Sequence, residues 1–285
     1  MTAPCHKIMS ANNDSPESRP VYIVSDGTGI TAEALARSVL SQFDVEFRKI
    51  RLPFIDNAEK AREARERIDA DNKGEKRPIV FSTLVKPELA AILRQANALH
   101  LDLIQTFAEP LSKELGMLST HEIGRSHQSP QSSGYKNRID AINFTIEHDD
   151  GQSHRNLAAA DVILIGVSRS GKTPTSLYLA LQQGIKVANY PLIPEDFERN
   201  ALPSALLPFK GKLFGLSISP ERLSEIRNER LPNSYYASLE NCRHEVAQAE
   251  AMMRREEIPW LSSTTKSIEE ISTAILHEIG LDQRE

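Results

Sequence analysis

The chain has 285 residues, of which 40% are hydrophobic and 26% are charged, and its formal net charge is −5. This composition is typical of a globular protein, and the length suggests about two domains of roughly 150 residues each. The negative charge gives no electrostatic reason to expect nucleic acid or an anionic membrane as a partner. No apolar run approaches the ~20 residues that a membrane span needs, so we expect no membrane association.

The first residues and the cysteines bear on the cellular setting. Residues 1–19 are polar, contain proline and lack the apolar centre of a secretory signal, so we interpret them as a disordered tail. The only cysteines are Cys5 and Cys242. Two such distant cysteines predict neither a disulfide framework nor a metal site, and they favour a reducing, cytoplasmic location.

From residue 20 onwards, short apolar runs alternate with amphipathic segments. The predicted strands are VYIVSD, EFRKIRLPF, RPIVFSTL and LDLIQTF. The helices that follow them are TAEALARSVLSQF, the charged and solvated NAEKAREARERIDA, PELAAILRQANAL and a short helix near 111–115. This alternation predicts βαβ units and a mostly parallel sheet. We therefore expect residues 20–155 to form an N-terminal parallel α/β domain.

A second α/β unit follows a long loop and a helical segment. Residues 120–134 are rich in Ser, Gly, Gln and Pro, which predicts the loop, and YKNRIDAINFTIEHDDG has helical spacing. The later predicted strands are DVILIGV, IKVANYPL, KLFGLSI and IPWLSS. Helices are expected from residue 175, over about 234–257, and in SIEEISTAILHEI, where Ser267 and Glu270 form a capping box. We place the domain boundary between about 150 and 160.

The segment after DVILI matches G-x-x-x-x-G-K-[ST] at every fixed position. Its residues are Gly166, Val167, Ser168, Arg169, Ser170, Gly171, Lys172 and Thr173. The glycines allow successive amides to turn toward an anion, Lys172 supplies a mobile charge for the terminal phosphate, and the Thr173 hydroxyl can ligate magnesium. Because a β-branched strand enters this loop and a helix leaves it, we predict a nucleotide-binding P-loop. Residues 156–285 then form a kinase-like P-loop α/β domain, in which Lys172 is catalytic.

Two features of this P-loop are unusual. Pro174 disfavours helical geometry at Thr173, although proline is tolerated in a first helical turn, so we expect a slightly altered loop. Ordinary P-loop ATPases place a carboxylate at the end of a neighbouring strand to organise magnesium. Here the strands end in VANYPL and LFGLSIS, and Glu195 and Asp196 lie a few residues beyond the first. We therefore expect the magnesium ligands to come from outside the usual strand end, with the other domain as one candidate source.

The first predicted strand runs into Ser25, Asp26, Gly27, Thr28 and Gly29. Ligands bind at the carboxyl ends of parallel strands. Asp26 is a candidate to accept a proton from a substrate hydroxyl or to ligate magnesium. The same residues suit an Asp-Gly turn with a helix cap, and the sequence leaves both interpretations open.

Other polar groups have simpler interpretations. His121 and His127, near Arg125, lack further ligands at a zinc spacing, so satisfied or solvent-facing histidines are favoured. The HDDG segment at 148–151 is interpreted as an acidic turn rather than a metal site. A solvated helix face is favoured over a phosphate-closing lid for Arg222, Arg227 and Arg230, and Trp260 is interpreted as a core residue.

Six segments together resemble one family. They are SDGTGITAEAL, RIDAINFTIEHDDG, GVSRSGKTPTSLYLA, ANYPL, KLFGLSISPERLSEIRNER and IPWLSSTTKSIEEIS. From about 21 to 280, the chain resembles the bifunctional regulatory proteins of phosphoenolpyruvate synthase and of pyruvate, phosphate dikinase. The dikinase branch tends to carry Ser-Lys where this chain has Gly171-Lys172, so the chain looks like the phosphoenolpyruvate synthase branch.

The resemblance implies an ADP-dependent serine/threonine kinase that phosphorylates a threonine near the catalytic histidine of phosphoenolpyruvate synthase. It also implies a phosphorylase that removes this group with inorganic phosphate and releases pyrophosphate. ADP, phosphate and Mg²⁺ are then the expected ligands, and Asp26 is the candidate to activate the threonine hydroxyl. A homodimer is the candidate assembly. Two other classes remain open from the residues: a small-molecule P-loop kinase, and a nucleotide-sensing module without turnover.

Overall fold

The computed structural model describes residues 18–72, 76–121, 133–149, 156–199 and 201–280. The chain divides into two compact units, Met1–His127 and Gln128–Glu285. Each unit contains a four-stranded parallel sheet with helices between its strands, which confirms the predicted fold class of two α/β domains. Residues 1–17 of the predicted tail lie outside the described residues, and Arg19 already belongs to the first strand.

The first unit is built on a four-stranded sheet whose strand order reverses beside its first strand. Its strands are β1 (Arg19–Ser25), β2 (Phe47–Leu52), β3 (Ile79–Thr83) and β4 (Leu99–Asp102), in the order β2-β1-β3-β4. Its helices are α1 (Ile30–Leu40), α2 (Ala58–Ala70), α3 (Pro87–Leu93) and α4 (Gln105–Leu115). β1 pairs with β2 on one side and with β3 on the other. The order therefore reverses between β1 and β3, which is where open parallel sheets bind ligands.

The charged helix α2 has one apolar stripe. Ala61, Ala64 and Ile68 are buried against the core, whereas most of the charged positions are exposed, as a solvated helix requires. The spacing of these three residues is the i, i+3, i+7 spacing of a helix that lies on a sheet. The Asn57 side chain begins the helix by accepting the Lys60 N–H.

The fourth strand is shorter than the sequence predicted. The apolar run LDLIQTF favours a strand over 101–107, but β4 ends at Asp102 and α4 begins at Gln105. Asp102 explains the change, because its Oδ1 accepts the N–H groups of Ile104 and Gln105 at 3.2 and 3.0 Å. A carboxylate that satisfies the first amides of a helix starts the helix there. The short helix predicted near 111–115 is the end of α4.

The second unit repeats this strand order. Its strands are β5 (Val162–Val167), β6 (Val187–Leu192), β7 (Leu213–Ser217) and β8 (Trp260–Ser262), in the order β6-β5-β7-β8. Its helices are α5 (Ser133–Glu147), α6 (Lys172–Gln183), α7 (Pro194–Glu198), α8 (Pro220–Arg230), α9 (Leu239–Arg255) and α10 (Ile268–Glu278). β5 is buried along its whole length and pairs with β6 and β7. The order reverses between β5 and β7.

Helix α5 belongs to this second unit, upstream of the predicted boundary at 150–160. It packs against α6 and β6, where Ala141 and Phe144 are buried. Thr145 also accepts the backbone N–H of Val187 at the start of β6, at 3.1 Å. The sequence showed a helical segment here but not the sheet that covers its apolar face.

Helix α9 packs directly on β7. A Cβ atom at Gly215 would lie 2.0 Å from the Met253 sulfur and 2.7 Å from the Trp260 Cβ, so only glycine fits there. The half-buried Trp260 packs against this core, as expected. α9 starts at 239 rather than 234 because the Ser238 hydroxyl accepts the Asn241 N–H. It has 17 residues, and within the described parts of the chain no helix is long and apolar enough to cross a membrane.

Candidate functional site

The G-x-x-x-x-G-K-T segment, called the 166–173 loop below, joins β5 to α6. Gly166 has φ 148°, and a Cβ there would lie 2.1 Å from the Leu216 carbonyl oxygen of β7, so a side chain has no room. Gly171 precedes α6 with φ 93°, a left-handed conformation that favours glycine. Among the described residues, no side chain caps the first turn of α6. Its N–H groups and dipole therefore face the loop, as in sites that bind anions.

Lys172 is folded over the 166–173 loop. Its side chain is buried, and its Nζ donates to the carbonyl oxygens of Gly166 and Val167 at 3.0 and 2.8 Å. The ammonium therefore already lies against the loop that it would serve. A phosphate group in the loop would compete with these carbonyls for the lysine protons.

Two further side chains hold loop carbonyls from outside the loop. Arg227 of α8 donates from Nη2 to the Ser168 carbonyl at 3.1 Å. The Ser263 hydroxyl, which follows β8, donates to the Ser170 carbonyl at 2.9 Å. Because a peptide carbonyl and the N–H of the same peptide plane point in opposite directions, these bonds fix the direction of the loop amides. The loop is thus preorganised by residues that sequence reasoning did not assign to it.

Arg227 is fully buried in a polar network between α8 and α9. Its Nη2 also pairs with Glu245 Oε2 at 2.6 Å, and its guanidinium lies 4.0 Å above the Tyr236 ring. The Tyr236 hydroxyl donates to the Ser168 hydroxyl oxygen at 3.1 Å. Arg227 of α8 and Tyr236, in the turn between α8 and α9, therefore contact the loop directly, and Glu245 of α9 supports it through Arg227.

The sequence interpretation of the α8 arginines as a solvated face is correct for Arg222 and wrong for Arg227. Arg222 is exposed and pairs with Glu225. Arg227 points into the protein, and its charge is balanced by Glu245. Arg230 is exposed and lines a cavity beside the 166–173 loop. Because charge is spread evenly along α8, the sequence did not indicate which of the three arginine side chains points into the protein.

The cavity beside the 166–173 loop has a volume of about 790 Å³, within the usual size of ligand pockets. Lys172, Thr173 and Arg169 line its loop side, and its other walls are largely apolar. The apolar walls come from Pro191, Ile193, Pro194, Ile226 and Leu231. Arg169 and Arg230 have no hydrogen-bond or ion-pair partner among the described residues, so both guanidinium groups are available to an anion.

Thr173 lies in the first turn of α6 and contacts the carboxylate of Asp149, two residues after the end of α5. Its hydroxyl donates to Asp149 Oδ1 at 2.9 Å. Asn189 of β6 donates from Nδ2 to the same carboxylate oxygen at 2.6 Å and to the Thr173 oxygen at 3.1 Å. The sequence showed Asp149 in the HDDG segment, but its contact with the loop depends on the packing of α5.

Cys242 of α9 lies beside the Arg227 network, where Nη1 of Arg227 is 3.9 Å from its sulfur. Burial raises the pKa of the Cys242 thiol. The thiol therefore stays protonated at neutral pH and packs as a small apolar group rather than acting as a nucleophile.

Asp26 lies in the first unit, at the reversal between β1 and β3. Its Oδ2 accepts the Val85 N–H at 2.8 Å, which joins the end of β1 to the segment after β3. The adjacent Ser25 hydroxyl accepts the Gly27 N–H at 3.1 Å, and Gly29 precedes α1 with φ 80°. Asp26 thus has the structural role of an Asp-Gly turn, in the position where a parallel sheet binds ligands. Asp26 and the 166–173 loop belong to different units.

The described histidines near these sites contact backbone carbonyls. His121 Nδ1 is 3.2 Å from the Val85 carbonyl oxygen. His148 is buried, stacks on Phe144 at 3.9 Å, and has Nδ1 2.7 Å from the Phe144 carbonyl oxygen. The described residues contain no group of three or more His, Cys, Asp or Glu that could hold a metal ion. His127 and Arg125 lie outside the described residues.

A buried strand that enters a glycine-rich loop and then a helix is typical of proteins that bind and transfer phosphate groups. The model of the kinase/pyrophosphorylase family matches residues 21–276. The chain belongs to this family.

Curated relatives cover almost the whole chain. A protein of Herminiimonas arsenicoxydans is 64% identical over 276 residues, which are 96% of this chain and 98% of that protein. A protein of Janthinobacterium sp. (strain Marseille) is 65% identical over 270 residues, 94% of this chain and 96% of its own length. A protein of Cupriavidus necator is 65% identical over 265 residues, 92% of this chain and 99% of its own length. Each carries the name "Putative phosphoenolpyruvate synthase regulatory protein". These matches confirm the family resemblance found in the sequence.

Proposed function

We propose that this protein regulates phosphoenolpyruvate synthase by reversible phosphorylation, in the cytoplasm. As a serine/threonine kinase it uses ADP to phosphorylate a threonine near the catalytic histidine of the target. As a phosphorylase it removes that group with inorganic phosphate and forms pyrophosphate. The family and the names of its relatives support the target and the phosphoryl-transfer class.

The observation that carries the proposal is the 166–173 loop beside a cavity of about 790 Å³. Its carbonyls are held by Lys172, Arg227 and Ser263, and the cationic side chains of Arg169 and Arg230 line the same cavity. Such a fixed cradle suits phosphoryl transfer, which depends on positioning and charge neutralisation more than on covalent help from the protein.

In the kinase direction, the loop holds both phosphates of ADP. The threonine oxygen attacks the β-phosphorus, the bond from that phosphorus to the bridging oxygen breaks, and AMP leaves with this oxygen. The threonine proton passes to a base. Lys172 exchanges its loop carbonyls for oxygens of the transferring group and neutralises their charge.

In the phosphorylase direction, the loop holds inorganic phosphate. An oxygen of this phosphate attacks the phosphorus of phosphothreonine, and the bond to the threonine oxygen breaks. The threonine oxygen takes up a proton, and pyrophosphate remains in the loop. Both directions therefore need the same site for a diphosphate-sized anion.

Asp26 is the candidate group for the proton of the threonine hydroxyl, because its carboxylate lies at the ligand-binding edge of the first sheet. Magnesium suits the Thr173 hydroxyl, an oxygen ligand that ends the 166–173 loop and lines the cavity. When bound, Mg²⁺ would neutralise charge on the phosphate oxygens.

Incubation of the full chain with phosphoenolpyruvate synthase and β-³²P-labelled ADP tests the proposal. We expect label on a threonine of the target, and its release as pyrophosphate when unlabelled phosphate is added. ATP labelled in the γ position, with ADP removed enzymatically, is the matched control for the donor. ADP binding without transfer to the target would indicate a sensing module instead, and transfer to a small metabolite would indicate a small-molecule kinase.

A further inference from the structure

A carboxylate lies directly beside the phosphate end of the candidate site. Asp149 accepts the hydroxyl proton of Thr173, and Thr173 lines the cavity next to Lys172. A carboxylate in this position repels the phosphates of a nucleoside diphosphate. The repulsion becomes attraction if a divalent cation lies between the carboxylate and the phosphates.

The position of Asp149 is fixed by β6, the strand that pairs with β5. The Asn189 backbone N–H donates to the His148 carbonyl at 2.9 Å, and its side-chain Nδ2 donates to Asp149 Oδ1 at 2.6 Å. Asn189 pairs with Leu164 in the strand that enters the loop. The segment just after α5 is thus attached to a neighbour of the strand that enters the loop, and ordinary P-loop proteins place their acidic residue at the end of such a neighbouring strand.

Asn189 is buried at a cost. Its side chain is 2% exposed, and its Oδ1 has no hydrogen-bond partner among the described residues. A buried acceptor without a partner lowers stability. Stability alone therefore does not explain why position 189 is an asparagine. The amide is oriented by its two donated bonds, which hold the Asp149 carboxylate and the Thr173 hydroxyl together.

The donor set fits a hard cation. Mg²⁺ binds oxygen ligands and commonly takes one or two protein carboxylates, with waters and substrate phosphates completing its shell. Asp149 and Thr173 provide two adjacent oxygen ligands, and the cavity leaves room for phosphates beside them. This arrangement supplies the carboxylate that the ends of β6 and β7 lack.

We infer that the Asp149 carboxylate and the Thr173 hydroxyl are the protein ligands of the divalent cation that accompanies the nucleoside diphosphate, and that Asn189 positions this carboxylate. The inference rests on the proposed function for the identity of the diphosphate. It adds a ligand from the segment just after α5, upstream of the loop, and a positioning residue from β6.

Binding measurements on the full chain test the inference without relying on turnover. Bound Mn²⁺ is measured by electron paramagnetic resonance, with and without ADP, for the wild type and for Asp149→Asn. The matched control is Asp140→Asn, which removes an exposed carboxylate from α5, the helix just before Asp149. We expect Asp149→Asn to lose at least about tenfold in Mn²⁺ affinity and Asp140→Asn to lose none.

ADP affinity in excess EDTA gives the second readout. Because the repelling carboxylate is gone, Asp149→Asn should bind metal-free ADP at least as tightly as the wild type, and added Mg²⁺ should tighten its binding much less. Thr173→Val should also lose Mn²⁺ affinity, whereas Thr173→Ser, which keeps the hydroxyl, should retain most of it. These two variants keep the test decisive if Asp149→Asn is poorly folded.

Wild-type Mn²⁺ affinity in folded Asp149→Asn overturns the inference, and so does a wild type that binds no Mn²⁺ in the presence of ADP. Loss of Mn²⁺ in Asp149→Asn, combined with no phosphoryl transfer from ADP by the wild type, supports the metal site and contradicts the proposed function. Normal transfer by the wild type, with unchanged Mn²⁺ binding in Asp149→Asn, supports the proposed function and contradicts the metal site.

Discussion

In the absence of a ligand, the Lys172 ammonium is already bonded to carbonyl groups of its own loop. The ammonium donates hydrogen bonds to the Gly166 and Val167 carbonyls. Binding of a phosphate group is then an exchange of acceptors for one ammonium rather than the capture of an anion by a free charge. Discrimination between phosphate-bearing ligands depends on how well their oxygens compete with two carbonyls at 3.0 and 2.8 Å.

Removal of this ammonium should impair transfer much more than folding. We expect Lys172→Ala to lower turnover at least ~100-fold, because charge neutralisation that grows in the transition state contributes roughly 2–4 kcal/mol. Turnover with ADP and the melting temperature are measured together. Lys266→Ala, which removes an exposed ammonium from the same unit, is the control. Near-normal turnover in folded Lys172→Ala would refute the role of Lys172.

Asp26 has a structural contact that must be separated from chemistry. Asp26→Asn keeps a side-chain oxygen that can accept the Val85 N–H, so the turn should survive with a loss of at most about 1 kcal/mol in stability. If Asp26 accepts the threonine proton, this variant should lose transfer while it still binds ADP. Melting temperature, ADP affinity and turnover of the one variant decide the matter. Persistent transfer in the folded fraction leaves Asp26 with only its structural role.

At the level of elements, α8 and α9 support the loop through one buried ion pair. Glu245→Gln leaves the Arg227 charge without its counter-charge, and we expect the unfolding free energy to fall by about 3 kcal/mol. The double variant Arg227→Met/Glu245→Leu should recover part of this stability, because the buried charge is gone. It should not recover transfer, since the Ser168 carbonyl has lost its donor. Urea unfolding and turnover measure the two effects.

The control is Glu221→Gln, which breaks the exposed pair with Arg243 and should leave stability nearly unchanged. Wild-type turnover in the double variant would show that the α8–α9 network serves stability alone. Equal instability of the single and double variants would show that the unpaired charge is not the cause.

Periodicity and motif spacing predicted most elements and the 166–173 loop, because both are local in sequence. The end of β4 was misplaced since an apolar run does not reveal that Asp102 caps the next helix. The contact between Asp149 and Thr173 spans 24 residues, and it exists only because α5 packs on β6. Arg227 was missed for a similar reason: side-chain direction in a uniformly charged helix depends on partners from α9. Long-range polar contacts were thus the unpredictable part of the site.

In the whole molecule, each unit has its first strand in the same place in a sheet of the same order. Only the second unit follows that strand with the G-x-x-x-x-G-K-T pattern. The two reactions that we propose on one threonine therefore either share the 166–173 loop or use a second phosphate site. Sharing needs only one cradle, since each reaction passes a phosphoryl group between a threonine oxygen and an anion held there.

A shared loop makes the two activities respond together. We expect Gly171→Ala to lower both by a similar factor, because alanine is strained at φ 93° even though the nearest atom outside the loop is 3.8 Å away. ADP should also inhibit the phosphorylase competitively with phosphate. Gly211→Ala, with open space and no left-handed backbone, is the control. Loss of the kinase alone, with the phosphorylase at full rate, would require a second phosphate site.

Because β7 approaches Gly166 closely, the two loop glycines should differ in how readily another residue replaces them during evolution. At Gly171 the Cβ of a small side chain would lie 3.8 Å from the Ser263 side chain, an ordinary contact distance, so the cost is mainly backbone strain. At Gly166 any side chain would collide with the Leu216 carbonyl and push the central strand from its neighbour. Among natural variants, a residue other than glycine at 166 should mark a degenerate copy, even where the lysine survives.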